Sequence, residues 1–435
     1  MKIAVVGAGW AGLAAATRLH QQGHDVRLFE AAAAPGGRAR TVHLPALDLP
    51  TDNGPHLLLG AYCDTFALMQ SLGLKPEDRC LIQALDLQSA DQQLRLRFWP
   101  LPAPWHRLGA VFGSRGLSGW RGRRHLAKVL KAAHPTQIAP HLSLSNWLTQ
   151  LDCPPALLQR LWAPLCLAAT NTPIAQTDAR LFAQVLRDSL AADASASQLV
   201  IPHGTLHELW PQTACEQLGN RLQRRRVQKI GMGQSGNWLV DDESYGRVIL
   251  AVPPGEARRL LQPLPHATDY LAHWPQWQHA AIATLNLRLE TPWHSGMALG
   301  LLWDEPAQHA WGQWFFDRST SKSTEKTLVQ VVIGRAESLA DEAPEQILAG
   351  VLAQLQAQCQ QPLPPLKRWA LITEKRATFD VTPGLSRPGT LTPWPGLLLA
   401  GDWTDTGYPA VLEGAVRSGL HAAAMTQEPG SASQV

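Results

Sequence analysis

Runs of apolar residues alternate with helical patterns at both ends of the chain. Residues 3–6 predict a short buried strand, and residues 13–19 predict a helix directly after it. A second strand is predicted over 25–29. At the other end, residues 397–402 predict a buried strand and 411–425 predict a closing helix. Strands that alternate with helices in this way predict an α/β fold with a parallel sheet.

The residues between these ends follow other patterns. Residues 103–195 are predicted to be mostly helical, with prolines separating the segments, and 206–222 predict one continuous helix. Residues 226–230 and 238–240 predict a pair of β-strands. Residues 282–289 and 327–333 predict further strands, and 344–358 predict a helix. These central segments therefore interrupt the α/β pattern rather than continue it.

Three glycines after the first strand have the spacing of a dinucleotide site. Gly7 allows a tight turn, Gly9 lets a pyrophosphate approach the backbone, and Gly12 lets the helix pack close to the strand. The helix that begins there offers free N–H groups and a partial positive charge to the phosphates. Glu30 ends the second strand about 20 residues further on, where a carboxylate binds ribose hydroxyls and repels a 2′-phosphate. FAD or NAD is therefore predicted, rather than NADP.

The nucleotide-binding fold is predicted to be discontinuous, because strand patterns of its kind return only near residue 200 and after residue 395. Residues 427–435 are polar and predict a flexible tail. The two intervening insertions are predicted to build the substrate side. We predict a nucleotide-binding domain over 1–75, 196–255 and 366–430, and an α+β substrate domain over 76–195 and 256–365.

The composition adds a large apolar content and few charges. Of the 435 residues, 45% are hydrophobic and 17% are charged, below the roughly 25% usual in soluble domains. The 17 Trp residues suit a large apolar pocket or a membrane-facing surface, and equally a compositional habit of the genome. The six cysteines are scattered without metal-ligand spacing, so no metal site is predicted.

Positive charge is concentrated in residues 92–151. This stretch contains no Asp or Glu and nine Lys or Arg, although the whole chain has a net charge of only +3. Aromatic residues such as Trp105 and Trp120 lie among the cations, and 121–131 predict a basic amphipathic helix. This mixture suits an anionic membrane surface, with a solvated basic face as the alternative. Nucleic acid is not predicted as a partner, because no nucleic-acid-binding fold accompanies the basic residues.

The sequence also predicts where the protein is found. The first strand begins at residue 3, which leaves no room for a signal peptide, and no run of 18 apolar residues is present. We therefore expect a cytoplasmic protein that associates peripherally with the inner face of the cell membrane.

Two further segments favour a flavin over a nicotinamide. Residues 36–38 read Gly-Gly-Arg, where the glycines permit close backbone approach and Arg38 offers a planar donor fork. The last strand ends at Gly401 and Asp402, whose carboxylate suits a polyol. The helix that begins near 409–412 directs its positive end toward a ring carbonyl that gains negative charge on reduction. FAD is therefore the predicted cofactor.

The chain resembles the superfamily of FAD-containing amine oxidases and phytoene desaturases. Besides the motifs above, residues 52–56 (Asp-Asn-Gly-Pro-His), 374–379 and 401–415 match the patterns of this superfamily, so the resemblance spans nearly the whole chain. It implies a Rossmann-like FAD-binding fold with an interleaved substrate domain. The loop 403–408 lacks a Cys for a covalent bond, so non-covalent FAD is expected. The residues expected to bind FAD are Gly7, Gly9, Ala11, Gly12, Glu30, Gly37, Arg38, Asn53, Gly54, Pro55, His56, Val227, Gly401, Asp402, Tyr408, Pro409, Ala410 and Leu412.

Residues 162–173 and 401–410 carry a narrower resemblance, to the hydroxysqualene dehydroxylases. That resemblance implies a C30 isoprenoid substrate and a net reduction of C–OH to C–H that gives squalene in hopanoid biosynthesis. The basic stretch would then dock the protein where its lipid substrate resides. Only one dinucleotide fingerprint is present, so an external electron donor of unknown identity is expected. Contact with the synthases upstream in the squalene pathway is a further expectation.

In this hypothesis an acid protonates the departing hydroxyl, and an apolar pocket excludes competing water. His56 is the first candidate for the acid, because the resemblance places it near the flavin, and Glu374 is the second. Asp52 is expected to be structural. For each of these residues a purely structural role is the alternative.

Three other functions stay open on the sequence alone. A carotenoid-type desaturase of phytoene or squalene removes hydride from an alkyl chain with the same fold, and only residues 162–173 and 401–410 separate it from the reading above. A flavin amine oxidase would orient an amine in an aromatic cage. A flavin-binding scaffold in a membrane assembly would bind the cofactor without turnover.

Overall fold

The computed structural model describes residues 1–102, 104–233, 236–320 and 325–426; the predicted tail 427–435 lies outside them. The strands in this part of the chain are β1 (Lys2–Val6), β2 (Asp25–Phe29), β3 (Thr41–Leu44), β4 (Leu49–Asp52), β5 (Leu58–Leu59), β6 (Cys80–Gln83), β7 (Asp86–Gln88), β8 (Arg95–Arg97), β9 (Leu199–Pro202), β10 (Leu222–Gln223), β11 (Ile230–Met232), β12 (Trp238–Val240), β13 (Glu243–Tyr245), β14 (Arg247–Leu250), β15 (His279–Leu289), β16 (Leu299–Leu301), β17 (Trp314–Asp317), β18 (Leu328–Gly334), β19 (Leu366–Phe379) and β20 (Leu397–Leu399). The α-helices are α1 (Trp10–Gln21), α2 (Cys63–Ser71), α3 (Pro76–Arg79), α4 (Trp105–Gly113), α5 (Gly119–Ala132), α6 (Leu144–Gln150), α7 (Pro155–Leu157), α8 (Ala163–Thr170), α9 (Ala179–Asp188), α10 (Leu206–Leu209), α11 (Pro211–Leu218), α12 (Pro254–Leu261), α13 (Ala267–Ala272), α14 (Pro344–Gln358) and α15 (Leu412–Met425).

A parallel sheet in the order β10-β2-β1-β14-β20 joins strands from distant parts of the chain. Side chains alternate between its two faces, so Ile3 and Val5 pack under α1 and α15, whereas Ala4 and Val6 pack against the opposite layer. Helices α1 and α15 approach closely, because a Cβ on Gly419 would lie 2.0 Å from the Ala11 carbonyl oxygen. The predicted α/β class is confirmed.

A second sheet is antiparallel, in the order β16-β17-β18-β15-β19. Helix α14 covers one of its faces, and residues of β16 and β17 pack on the other face into the core of the helical region. The long strand β19 pairs along nearly its whole length with β15. The proposed division at residue 366 stays a prediction, but β19 itself belongs to the antiparallel sheet.

The helical layer between β8 and β9 is fixed to this sheet by Asn171. Its side-chain amide donates to the Ala281 carbonyl at 3.2 Å and to the Thr378 hydroxyl at 3.1 Å, and its oxygen accepts from the Arg335 N–H. Asn171 follows α8 with φ +49°, a left-handed conformation that Asn tolerates. Residues 162–173, which carry the narrower resemblance, therefore join the helices to the antiparallel sheet.

Most predicted elements are present, and two details differ. The helix predicted over 206–222 is two helices, α10 and α11, because Pro211 has no N–H to continue the first one and instead begins the second. The strand predicted over 226–230 begins later than expected, because the pairing with 238–240 starts only at Ile230. The helix predicted over 344–358 is confirmed as α14. None of the described helices is both long enough and apolar enough to cross a membrane.

Candidate active site

The glycine loop after β1 leaves an open cradle over Gly9. A Cβ on Gly12 would lie 1.8 Å from the Gly7 carbonyl oxygen, and Gly7 itself has φ +102°, so neither position accepts a side chain. At Gly9 the nearest atom to an added Cβ is the Gly37 Cα at 3.9 Å. Helix α1 begins directly after Gly9 without a side-chain cap. The space over Gly9 can therefore receive a phosphate at a helix N-terminus.

Glu30 lies beside this loop, beyond the carboxyl end of β2. Its carboxylate accepts from the Ala8 N–H at 2.8 Å and from the Ala32 N–H at 2.7 Å. Val227 is buried a few residues beyond β10, and its carbonyl accepts from Arg259 at 2.8 Å. Ligands of parallel sheets bind outside the carboxyl ends of the strands, which is where Glu30 and Val227 both lie.

Residues 36–38 connect the glycine loop to the C-terminal part of the site. The Gly36 N–H donates to the Ala8 carbonyl at 2.8 Å, and Arg38 donates to the Asp402 carboxylate at 2.5 Å and to the Ala377 carbonyl at 2.9 Å. Asp402 is buried, whereas 41% of the Arg38 side chain is exposed. The predicted pair of a donor fork and a polyol-binding carboxylate is thus brought together at one place.

Arg387 is a residue of this region that the sequence motifs did not indicate. It is buried, and its guanidinium donates to the Asp402 carbonyl at 3.2 Å and to the Tyr408 carbonyl at 2.7 Å. These bonds hold the backbone of the loop from the end of β20 to Tyr408 in shape. No motif surrounds Arg387, so its position in the loop before β20 is the only sequence signal for it.

The segment that reads Asn-Gly-Pro-His at 53–56 meets β19 in this site. The Asn53 amide donates to the Glu374 carboxylate at 3.1 Å and to the Arg38 carbonyl at 3.2 Å. Gly54 approaches β15 closely, because a Cβ there would lie 3.3 Å from the Thr284 hydroxyl. His56 Nδ1 lies 2.8 Å from the Gly54 carbonyl. Of the two candidate acids, Glu374 thus contacts Asn53, and His56 contacts Gly54, the next residue along the chain.

Two histidines in this region have lowered pKa values. Burial lowers the pKa of His56, against the hydrogen bond to Gly54, and the positive charge of Arg38 lowers it further. Burial likewise lowers the pKa of His279 at the start of β15. The charge of Arg38 lowers this pKa further, and the charge of Asp402 opposes the shift. Both imidazoles are thus uncharged at neutral pH. His279 is a second residue that the sequence motifs missed.

Helix α15 begins at Leu412 and presents its N-terminus to the same region. Its N-cap, Val411, makes no side-chain hydrogen bond, and the Val411 N–H donates to the Pro409 carbonyl at 2.8 Å. Ala410 packs into the core on one side of the parallel sheet. The uncapped helix N-terminus can therefore stabilise negative charge on a bound ring.

These features fit FAD. The open cradle at Gly9 suits the pyrophosphate, Glu30 suits the adenosine ribose, and Arg38 with Asp402 suits the chain between phosphate and ring. When bound, FAD would supply hydride chemistry at its ring. Among the described residues, no group of three or more His, Cys, Asp or Glu is placed to hold a metal ion.

Known proteins are similar to the chain over nearly its whole length. The family model for flavin containing amine oxidoreductases matches residues 10–425. A hydroxysqualene dehydroxylase from Rhodopseudomonas palustris is 31% identical over 98% of this chain and 99% of its own length. A zeta-carotene desaturase from a Synechocystis species is 24% identical over 97% of this chain and 96% of its own length.

Solved structures share the fold. An oxidoreductase from Methanosarcina mazei superposes with a TM-score of 0.71 at 16% identity, over 97% of this chain and 99% of its own. The protein is an FAD-dependent oxidoreductase. With its glycine cradle, its Arg38–Asp402 pair and a family match over nearly its full length, the chain belongs to the flavin containing amine oxidoreductase family.

Proposed function

We propose that the protein removes the hydroxyl group of hydroxysqualene reductively and releases squalene. The observation that carries this proposal is the full-length similarity to a hydroxysqualene dehydroxylase, at 31% identity against 24% for the carotenoid desaturase. The overall reaction replaces C–OH by C–H and releases water, and it consumes two protons and two electrons from an external donor. The substrate is then a C30 isoprenoid alcohol.

Residues of this chain would hold the reacting groups and supply the proton to the departing hydroxyl. Asn53 orients the Glu374 carboxylate by donating to it, which holds this side chain at a fixed position. His56 is held by the Gly54 carbonyl, and its lowered pKa leaves it uncharged at neutral pH. An uncharged imidazole can orient a hydroxyl. Only the protonated imidazolium, which forms below neutral pH, can protonate a departing hydroxyl. We keep both residues as candidates for the acid, to be separated by experiment.

A single experiment tests the reaction. The purified holoenzyme, with its flavin reduced by dithionite in the absence of oxygen, is mixed with hydroxysqualene. We expect reoxidation of the flavin, followed by its absorbance, and one squalene per flavin, measured by mass spectrometry. Phytoene with the oxidised holoenzyme is the comparison for the desaturase alternative. Formation of desaturated product from phytoene, with hydroxysqualene unchanged, would refute the proposal, and no flavin reaction with either would favour a scaffold.

We further propose that the protein works at an anionic membrane surface through α4 and α5. In the described residues, five of the nine most exposed large hydrophobic side chains lie within 101–120: Leu101, Trp105, Leu108, Phe112 and Trp120. Trp105, Leu108 and Phe112 follow the i, i+3, i+7 spacing of one helical face. Such a face, beside basic residues, suits the interface of an anionic bilayer.

The basic residues around this face divide into two groups. Arg95 pairs with Asp86 at 2.5 Å, and Lys128 pairs with Asp152. By contrast, exposed basic residues of α4 and α5 have no ion pair within the described part of the chain: Arg107, Arg121, Arg124 and Lys131. These free cations support lipid phosphates as the partner. The protein would then meet its electron donor, and the synthases that supply its substrate, at the same membrane surface.

A further inference from the structure

A cavity of about 590 Å³ lies where the ends of α5 and α9 meet the start of α15. This volume is within the range of pockets that hold small molecules. About half of its lining residues are alanine or leucine, among them Ala61, Leu130 and Ala192, and the others are mostly polar or charged, such as His134 and Arg187. Small side chains on several elements leave space for a long apolar molecule.

Part of the polar lining forms a compact hydrogen-bonded cluster beside the alanines. The Tyr408 hydroxyl donates to the Asp188 carboxylate and accepts from Arg417 at 3.0 Å, while Gln184 donates to Asp188 at 2.6 Å. Burial, together with the neighbouring Asp188, raises the pKa of Tyr408 to about 12, so its hydroxyl stays protonated. Hydroxyl and carboxylate groups that meet in an apolar space suit the single hydroxyl of an otherwise apolar ligand.

The cavity connects the cofactor region with the proposed docking surface. Its lining includes Tyr408, whose carbonyl accepts from the Arg387 guanidinium, as the Asp402 carbonyl does. Its lining also includes Arg107 on α4, the helix that exposes Trp105. A molecule that leaves a bilayer at α4 would therefore have this cavity next to it, with the candidate cofactor region on the same lining.

We propose that this cavity binds the isoprenoid alcohol on its way from the membrane, with the substrate hydroxyl held by Asp188 and Tyr408. The proposal rests on the proposed function for the identity of the alcohol. It assigns to Asp188 and Ala192 a substrate contact that the cofactor motifs do not include. The apolar tail lies against the alanine wall, and the hydroxyl is the group that the cavity selects.

Photolabelling tests the location of the site. The holoenzyme is irradiated with a C30 isoprenoid alcohol that carries a diazirine, and labelled peptides are mapped. We expect label in 187–196 and 130–134, and at least a tenfold loss of it in Ala192→Trp, which fills the cavity. Ala353→Trp, on the exposed face of α14, is the matched control and should label as the wild type does. Label that is confined to other segments, or undiminished in Ala192→Trp, overturns the proposal.

A second measurement tests recognition of the hydroxyl. Competition against the label should show the unlabelled alcohol binding about tenfold more tightly than squalene, and Asp188→Asn should remove this preference while FAD content is unchanged. Equal competition by alcohol and hydrocarbon in the wild type overturns the role of Asp188. Failure of the proposed function has a different signature: the label still maps to the cavity, but the reduced holoenzyme leaves hydroxysqualene unchanged.

Discussion

Arg38 donates a hydrogen bond to Asp402 at 2.5 Å, although the two residues are 364 positions apart. The contact joins the loop after β2 to the loop after β20, and the Arg38 guanidinium also reaches the Ala377 carbonyl at the end of β19. Three distant parts of the chain thus meet at one side chain. The candidate cofactor site is complete only when the C-terminal strand has entered the parallel sheet.

Replacing Arg38 by Ala should weaken FAD binding about tenfold or more, since a hydrogen bond to a charged group contributes roughly 1.5–3 kcal/mol. The measurement is the flavin absorbance per protein after purification, and the Kd of the apoprotein for FAD. Arg27→Ala is the matched control, because Arg27 pairs with Asp25 on the exposed side of β2. Equal flavin content in the two variants would contradict a role for Arg38 in cofactor binding.

The nucleotide-binding half of the fold follows from local sequence. Glycine at positions 7, 9 and 12 predicts a positive φ or a close approach of the backbone, and the residue type alone is enough for that prediction. The bond between Asn53 and Glu374 has no local signal, because 321 positions separate the residues. Arg387 and His279 also lack a local signal. Arg387 contacts carbonyls 15 and 21 positions away, and the charges that act on the pKa of His279 include those of Arg38 and Asp402.

Replacing Glu374 by Gln should lower the rate of squalene formation about 100-fold or more if this carboxyl is the acid, the usual range for general acid catalysis. FAD content should stay unchanged, because the amide can still accept from Asn53. The measurement is single-turnover reoxidation of the reduced holoenzyme. Asn53→Ala is the companion variant, with a smaller loss expected, since it removes only the group that orients Glu374.

His56 gives a separate prediction with a defined pH dependence. Its pKa is lowered in the folded protein, so the protonated form grows as pH falls below neutrality. If His56 is the acid, the turnover rate should rise from pH 8 to pH 5.5, and His56→Asn should abolish that rise. Turnover that is unchanged in both His56→Asn and Glu374→Gln would exclude both residues as the acid.

The exposed face of α4 and α5 should bind anionic vesicles. The wild type is expected to co-sediment with vesicles of phosphatidylglycerol and phosphatidylcholine, and much less with phosphatidylcholine alone. The double variant Arg121→Glu/Arg124→Glu should bind at least tenfold more weakly, since each cation near the surface contributes about 1 kcal/mol. Lys367→Glu/Arg368→Glu, exposed on β19, is the charge-matched control. Loss of binding in the control as well would indicate a general charge effect rather than this face.

Asp52 should make the stability of the protein depend on pH. Burial raises its pKa to about 7, although the Leu206 N–H donates to it at 2.9 Å and Arg318 opposes the rise. The folded state therefore holds a proton that the unfolded state releases near pH 4, so the free energy of unfolding falls as pH rises from about 4 to 7. Asp52→Asn keeps an acceptor for Leu206 but cannot ionise. In urea unfolding followed by Trp fluorescence, we expect the stability of this variant relative to the wild type to increase between pH 5 and about pH 7 and to level off above it. A relative stability that is constant over this range would mean that Asp52 is already ionised in the folded protein at pH 5.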